Sequence, residues 1–164
     1  MRRSLAILAL LLAACATDAR PYPDCWPMAT GGEVCAVPDA EEQGAQRAAL
    51  AWFEVASIEW SAREASDVLS NTRIVMGPLH NMSHQPCLPE VAGCFVRTVL
   101  PNEVWVNTRN KHGEIVEPCA SALAHELTHA AEYQIDGYDI DDKHEHARWS
   151  YLEADALDRC EAAQ

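Results

Sequence analysis

The chain has 164 residues, with 12 basic and 25 acidic side chains for a formal charge of −13, and seven cysteines. A surface this acidic repels phosphate backbones and anionic lipid headgroups, so nucleic acid is excluded as a partner on charge. The length suits one domain with a real core rather than two.

Arg2 and Arg3 precede an apolar run over residues 5–14 that ends in small side chains, the pattern of a secretory signal. A run of about ten residues is too short to span a bilayer, which needs roughly 20. The sequence Leu12-Ala13-Ala14-Cys15 resembles the bacterial lipobox. That resemblance implies removal of residues 1–14 and acylation of Cys15, so that the membrane is met through a lipid anchor. Residue 16 is Ala and not Asp, which by the same resemblance implies sorting to the outer membrane, facing the periplasm or the cell surface. Loss of Arg2 and Arg3 leaves 10 basic against 25 acidic residues, a mature charge of −15.

With Cys15 assigned to lipid, six cysteines remain, and an even set in an oxidising compartment reads as three disulfides. Six cysteines allow 15 pairings. Spacing favours Cys25–Cys35 and Cys87–Cys94, each closing a short loop, which leaves Cys119–Cys160. No C-x-x-C pair is present, which argues against a cysteine metal site.

Residues 15–39 hold Pro21, Pro23, Pro27, Gly31, Gly32 and Pro38 without a sustained period, and read as a tether followed by an irregular, cystine-closed arm. The domain proper is expected over residues 40–164. Residues 40–69 are helix formers, with Leu50, Phe53, Ile58 and Trp60 as the apolar stripe of one long helix or of two with a bend. Residues 73–76 read as a short strand. Residues 95–100 and 103–107, separated by Pro101-Asn102, read as a hairpin or two neighbouring strands. Pro118 starts a helix over residues 120–135, which Gly137 stops. A last helix is expected over residues 143–160, with Asp142 as its N-cap. The fold class is therefore α+β: a few-stranded antiparallel or mixed sheet packed on a central helix and its flanking helices.

Residues 125–129 read His-Glu-Leu-Thr-His. Histidines four apart stack on one helix face, so both imidazoles can reach a single ion at about 2.0–2.1 Å. Glu126, at the edge of that face, can reach a water on the ion without ligating it. Bound Zn²⁺ brings the pKa of such a water to about 7, and a carboxylate can then take its proton and pass it to a departing amine. The motif, on a helix that follows a pair of strands, resembles the zincin metallopeptidases. The resemblance implies an edge strand lining the substrate cleft, assigned here to residues 103–107, with a peptide substrate pairing to it as an added strand.

A catalytic zinc site needs a third protein ligand. The metzincin continuation is absent, since residues 132 and 135 are Glu and Ile. The run Lys143-His144-Glu145-His146-Ala147-Arg148-Trp149 resembles the SprT-like peptidases, which implies His144, fifteen residues after His129, with His146 able to substitute. Tyr-Leu-Glu-Ala-Asp-Ala at residues 151–156 resembles the gluzincins, which implies Glu153. A Cys119–Cys160 bridge would set the last two helices antiparallel, with Glu153 level with Glu126. Tyr133, Tyr138 and Tyr151 receive no catalytic role, and His80, His84 and His112 sit in loop-like, solvated sequence. The expectation is a zinc-dependent hydrolase of peptide or protein substrates, catalytic through Glu126 and binding metal through His125, His129 and His144. The alternatives are a zincin-fold lipoprotein that only binds, and a hydrolase of another amide such as one in cell-wall peptide.

Overall fold

The computed structural model describes residues 24–36, 42–78, 86–88, 91–97, 101–109, 112, 121–137, 144 and 147–162. The signal segment, Cys15, His80, His84, Pro118, Cys119, Tyr138, Asp142 and His146 lie outside them. The described elements are β1 (Asp24–Pro27), β2 (Glu33–Ala36), α1 (Glu42–Glu59), α2 (Ala62–Ser70), β3 (Thr72–Gly77), β4 (Gly93–Val96), β5 (Asn102–Asn107), α3 (Ser121–Ile135) and α4 (Ala147–Ala162). The protein is thus α+β, with a five-stranded mixed sheet in the order β1-β2-β3-β5-β4.

The expected irregular arm contributes two strands to this sheet. β1 pairs antiparallel with β2, placing Cys25 opposite Cys35, and the two are disulfide-bonded. Gly31 and Gly32 turn the hairpin with φ of 94° and 76°. A Cβ on Gly32 would stand 2.0 Å from the Leu69 carbonyl oxygen, so only glycine lets the turn dock on the end of α2. β2 then runs parallel to β3, with α1 and α2 as the crossover that a parallel pair requires.

Residues 40–69 form the two-helix version of the expectation, and Ser61 causes the break. Its hydroxyl accepts from the Glu64 backbone N–H and donates to the Glu64 carboxylate, an N-cap that starts α2. Half of the expected stripe faces away from the core: Leu50 and Ile58 are 45% and 71% exposed, whereas Phe53 and Trp60 are partly buried and pack on it. The buried face is instead Ala45, Ala48, Ala49, Trp52, Val55 and Ala56. From this face of mostly small side chains Trp52 reaches across to α3 and donates its indole N–H to Thr128 at 3.2 Å.

Alternation along the strands divides the sheet into two faces. Val34, Ile74, Met76, Val104 and Val106 face the helices and make the main core with Leu123, Leu127 and Leu152. Cys35, Val75, Trp105 and Cys87 pack on the other face, where Cys87 is bonded to Cys94. On that face Arg73 bridges Glu33 at 2.5 Å and Glu103 at 3.1 Å across three parallel strands, and Trp105 donates to Glu103. Burial alone would lower the Arg73 pKa, but the two carboxylates outweigh it and raise the value.

β5 is not the edge strand that residues 103–107 were expected to supply. It lies between β3, to which it is parallel, and β4, to which it is antiparallel, so among the described residues the edge falls to β4. β4 spans residues 93–96 and not 95–100, of which residues 98–100 lie outside the described set. No helix among the described residues is long and apolar enough to cross a membrane.

Candidate metal centre

α3 begins and ends close to the expected bounds, with Gly137 at φ 84° where the chain leaves the helix. Its interior explains how the histidines are presented. Leu123, Leu127, Ala130 and Ala131 are buried in the main core, while Thr128 is tied to Trp52 and to the Ala124 carbonyl. Those positions fix the rotation of the helix, and the remaining side carries His125, Glu126 and His129.

α4 runs antiparallel to α3, as pairing along both helices shows: Arg148 meets Asp136 and Glu132, and Glu153 meets His125. It starts at Ala147 rather than at residue 143. Cys160 near its end is buried and disulfide-bonded, while its expected partner, Cys119, lies outside the described residues.

His144 precedes α4 with a φ of 55°, the left-handed conformation that non-glycine residues seldom adopt. Such backbone persists where the surroundings dictate it, and it clusters at functional sites. Here it turns the His144 ring onto α3. The ring centroid lies 4.5 Å from that of His125 and 5.1 Å from that of His129, and all three rings pack on Trp149, which is almost fully buried.

One nitrogen from each of His125, His129 and His144 lies within 4.8 Å of the other two. Nε2 of His144 and Nε2 of His129 are 3.1 Å apart. Two nitrogens on one tetrahedral Zn²⁺ at about 2.0–2.1 Å would be about 3.3 Å apart, so the donor set fits a single ion. Glu153 does not join that set. Its Oε1 accepts from Nδ1 of His125 at 2.6 Å. A carboxylate only accepts, so in the neutral ring the contact puts the proton on Nδ1 and leaves the Nε2 lone pair for a cation. His146, the other alternative, is outside the described residues. A second group, Cys25, Glu33 and Cys35, also has the spacing of a metal site, but both its sulfurs are spent in a disulfide.

Glu126 is buried at the wall of an open cleft of about 310 Å³, whose other lining residues are Gly93, Cys94, Phe95, Arg97 and His129. The cleft therefore runs between α3 and the edge strand β4. A Cβ on Gly93 would come within 2.9 Å of Glu126 Cγ and 2.7 Å of the Trp105 carbonyl oxygen, so the carboxylate has room only because residue 93 lacks a side chain. The Asn107 N–H donates to the Ala92 carbonyl at 2.7 Å, and pairing with β5 alternates from there. Gly93 and Phe95 accordingly turn their backbone groups toward the open edge, the side on which a further strand could add.

Of the residues singled out in the sequence, His125, His129 and His144 come together and Glu126 lies at the adjoining cleft, whereas Gly93, Phe95 and Arg97, which share that cleft, were not singled out. A glycine opening a β-rich run and an arginine two residues past a phenylalanine were the available signals. No family model matches the chain, and no characterised protein or solved structure is significantly similar to it.

Proposed function

We propose that this protein is a zinc-dependent peptide-bond hydrolase, similar in its HExxH helix to the zincin metallopeptidases, held at the bacterial cell envelope as a lipoprotein acylated on Cys15. The observation that carries the reading is the meeting of three imidazole nitrogens, from α3 and from the segment before α4, beside a carboxylate that faces a cleft.

His125, His129 and His144 would hold the ion, and Glu153 keeps His125 in the tautomer that leaves Nε2 free. A bound Zn²⁺ supplies Lewis acidity, lowering the pKa of a water to about 7 and polarising a carbonyl. The Glu126 carboxylate takes the proton from the attacking water and returns it to the departing nitrogen. Burial of Glu126 against Gly93 restricts its rotamers, so the base is aimed before substrate arrives. An extended peptide pairs with the open edge of β4, which orients the scissile bond across the cleft. The lipobox at residues 12–15 supports the anchor, and the disulfides Cys25–Cys35 and Cys87–Cys94 suit an oxidising compartment.

The test compares the purified zinc-loaded protein with its Glu126→Gln variant on a peptide library. Wild type should cleave, and the variant should keep its zinc while cleaving about 10²–10⁴-fold more slowly. Equal cleavage by both would overturn the role of Glu126. Zinc binding with no cleavage of any peptide would mark a binding protein instead.

A further inference from the structure

Arg97 follows β4 at the far end of the cleft from Gly93, and its surroundings differ from those of most other described arginines. Arg63, Arg73, Arg148 and Arg159 each pair with a carboxylate: Asp67, Glu33 and Glu103, Asp136, and Glu54. Arg97 is exposed and makes no ion pair among the described residues. Its guanidinium lies over the ring of Tyr133, 4.8 Å from the centroid. Tyr133 stands one turn beyond His129 on α3 and also packs on Phe95, 5.8 Å between centroids. The cation is thus held in place by an uncharged surface, which leaves its hydrogen-bond donors free.

In a chain with 25 acidic and 12 basic residues, an arginine with no carboxylate partner among the described residues that lines a cleft with the candidate base is placed for an anion from outside. The placement also gives a direction. A peptide adding antiparallel to β4 sets its N-terminal residues beside the C-terminal end of that strand. The scissile bond must lie near Glu126, hence near Gly93, and Arg97 is four residues further, about 13 Å along an extended chain. Resting on the hydrolase reading above, we propose that Arg97 is a specificity determinant that selects peptides with an Asp or Glu side chain on the N-terminal side of the cleaved bond. Phe95, on the same face of β4, would supply apolar contact between that position and the cut.

The experiment uses peptides identical except for Glu, Gln or Lys at single positions, with wild type, Arg97→Gln and Arg97→Glu. Wild type should favour Glu over Gln by about three- to tenfold in kcat/KM at one position N-terminal to the cut, as expected for one solvent-facing charge pair. Arg97→Gln should erase that preference, and Arg97→Glu should turn it toward Lys. An unchanged preference in Arg97→Gln, or none in wild type, would overturn the proposal. Binding of the same peptides is measured in parallel by fluorescence anisotropy on zinc-loaded Glu126→Gln, with and without Arg97→Gln. If no peptide is cleaved, the hydrolase reading fails, whereas loss of selective Glu-peptide binding on Arg97→Gln still identifies the anion site. Equal binding of Glu and Gln peptides there would overturn that site independently of catalysis.

Discussion

The Glu33–Arg73–Glu103 row gathers three titratable side chains from three strands, the His125–His129–His144 group gathers three from α3 and the segment before α4, and the two are stabilised in different ways. In the row, one guanidinium lies between two carboxylates, each charge facing its opposite at 2.5 and 3.1 Å across the parallel strands. It is complete with the atoms of the chain and pins the register of β2, β3 and β5. The histidine group brings like against like: three nitrogens within 4.8 Å, one of them oriented by Glu153 from behind. Trp149 holds the rings together by contact. Under the proposed function a divalent cation completes this cluster, as Arg73 completes the other.

Substitutions should therefore separate the clusters. His129→Ala removes a candidate ligand on the helix itself and should abolish both zinc retention and hydrolysis while the far-ultraviolet circular dichroism stays native, since the ring is only partly buried. Glu153→Ala should keep the fold and weaken zinc binding by about 10–100-fold, the usual cost of losing the group that orients a ligating histidine, read by competition with a chromophoric chelator. Arg73→Met leaves two carboxylates facing each other on a half-buried surface. It should lower unfolding free energy by about 1–3 kcal/mol in urea titration without changing zinc affinity.

The smallest expected effect lies at neither cluster. Burial raises the phenol of Tyr151 to about 12, and its hydrogen bond to Glu59 adds to the shift. The folded value exceeds the unfolded value of about 10, so the folded state favours the neutral phenol. The stability difference between wild type and Tyr151→Phe should thus be constant below pH 10 and shrink as pH rises from 10 to 12.

Much of the site could be read from the chain because its chemistry is local. His125, Glu126 and His129 lie within one helical stretch, and a helix between a proline and a glycine is a strong signal. His144 came from resemblance, and the positive φ that aims its ring has no signature in the sequence. The order of strands in space was less accessible. β4 and β5 are neighbours as expected, but which one is the edge depends on β3, thirty residues away, choosing β5 as its parallel partner. The hairpin of β1 and β2 escaped notice because strands of four residues, one of them ending in Pro27, show no usable alternation. They are held by the Cys25–Cys35 bond and by pairing onto β3. The core face of α1 was misread because alanines and one tryptophan make it, whereas the larger Leu50 and Ile58 point to solvent.

Zinc stoichiometry addresses the central claim most directly. The purified protein, stripped with chelator and dialysed against limiting zinc, should recover one ion per chain, and the His125→Ala variant should recover none. Binding of less than a tenth of an ion per chain by wild type, or full binding by His125→Ala, would contradict the account.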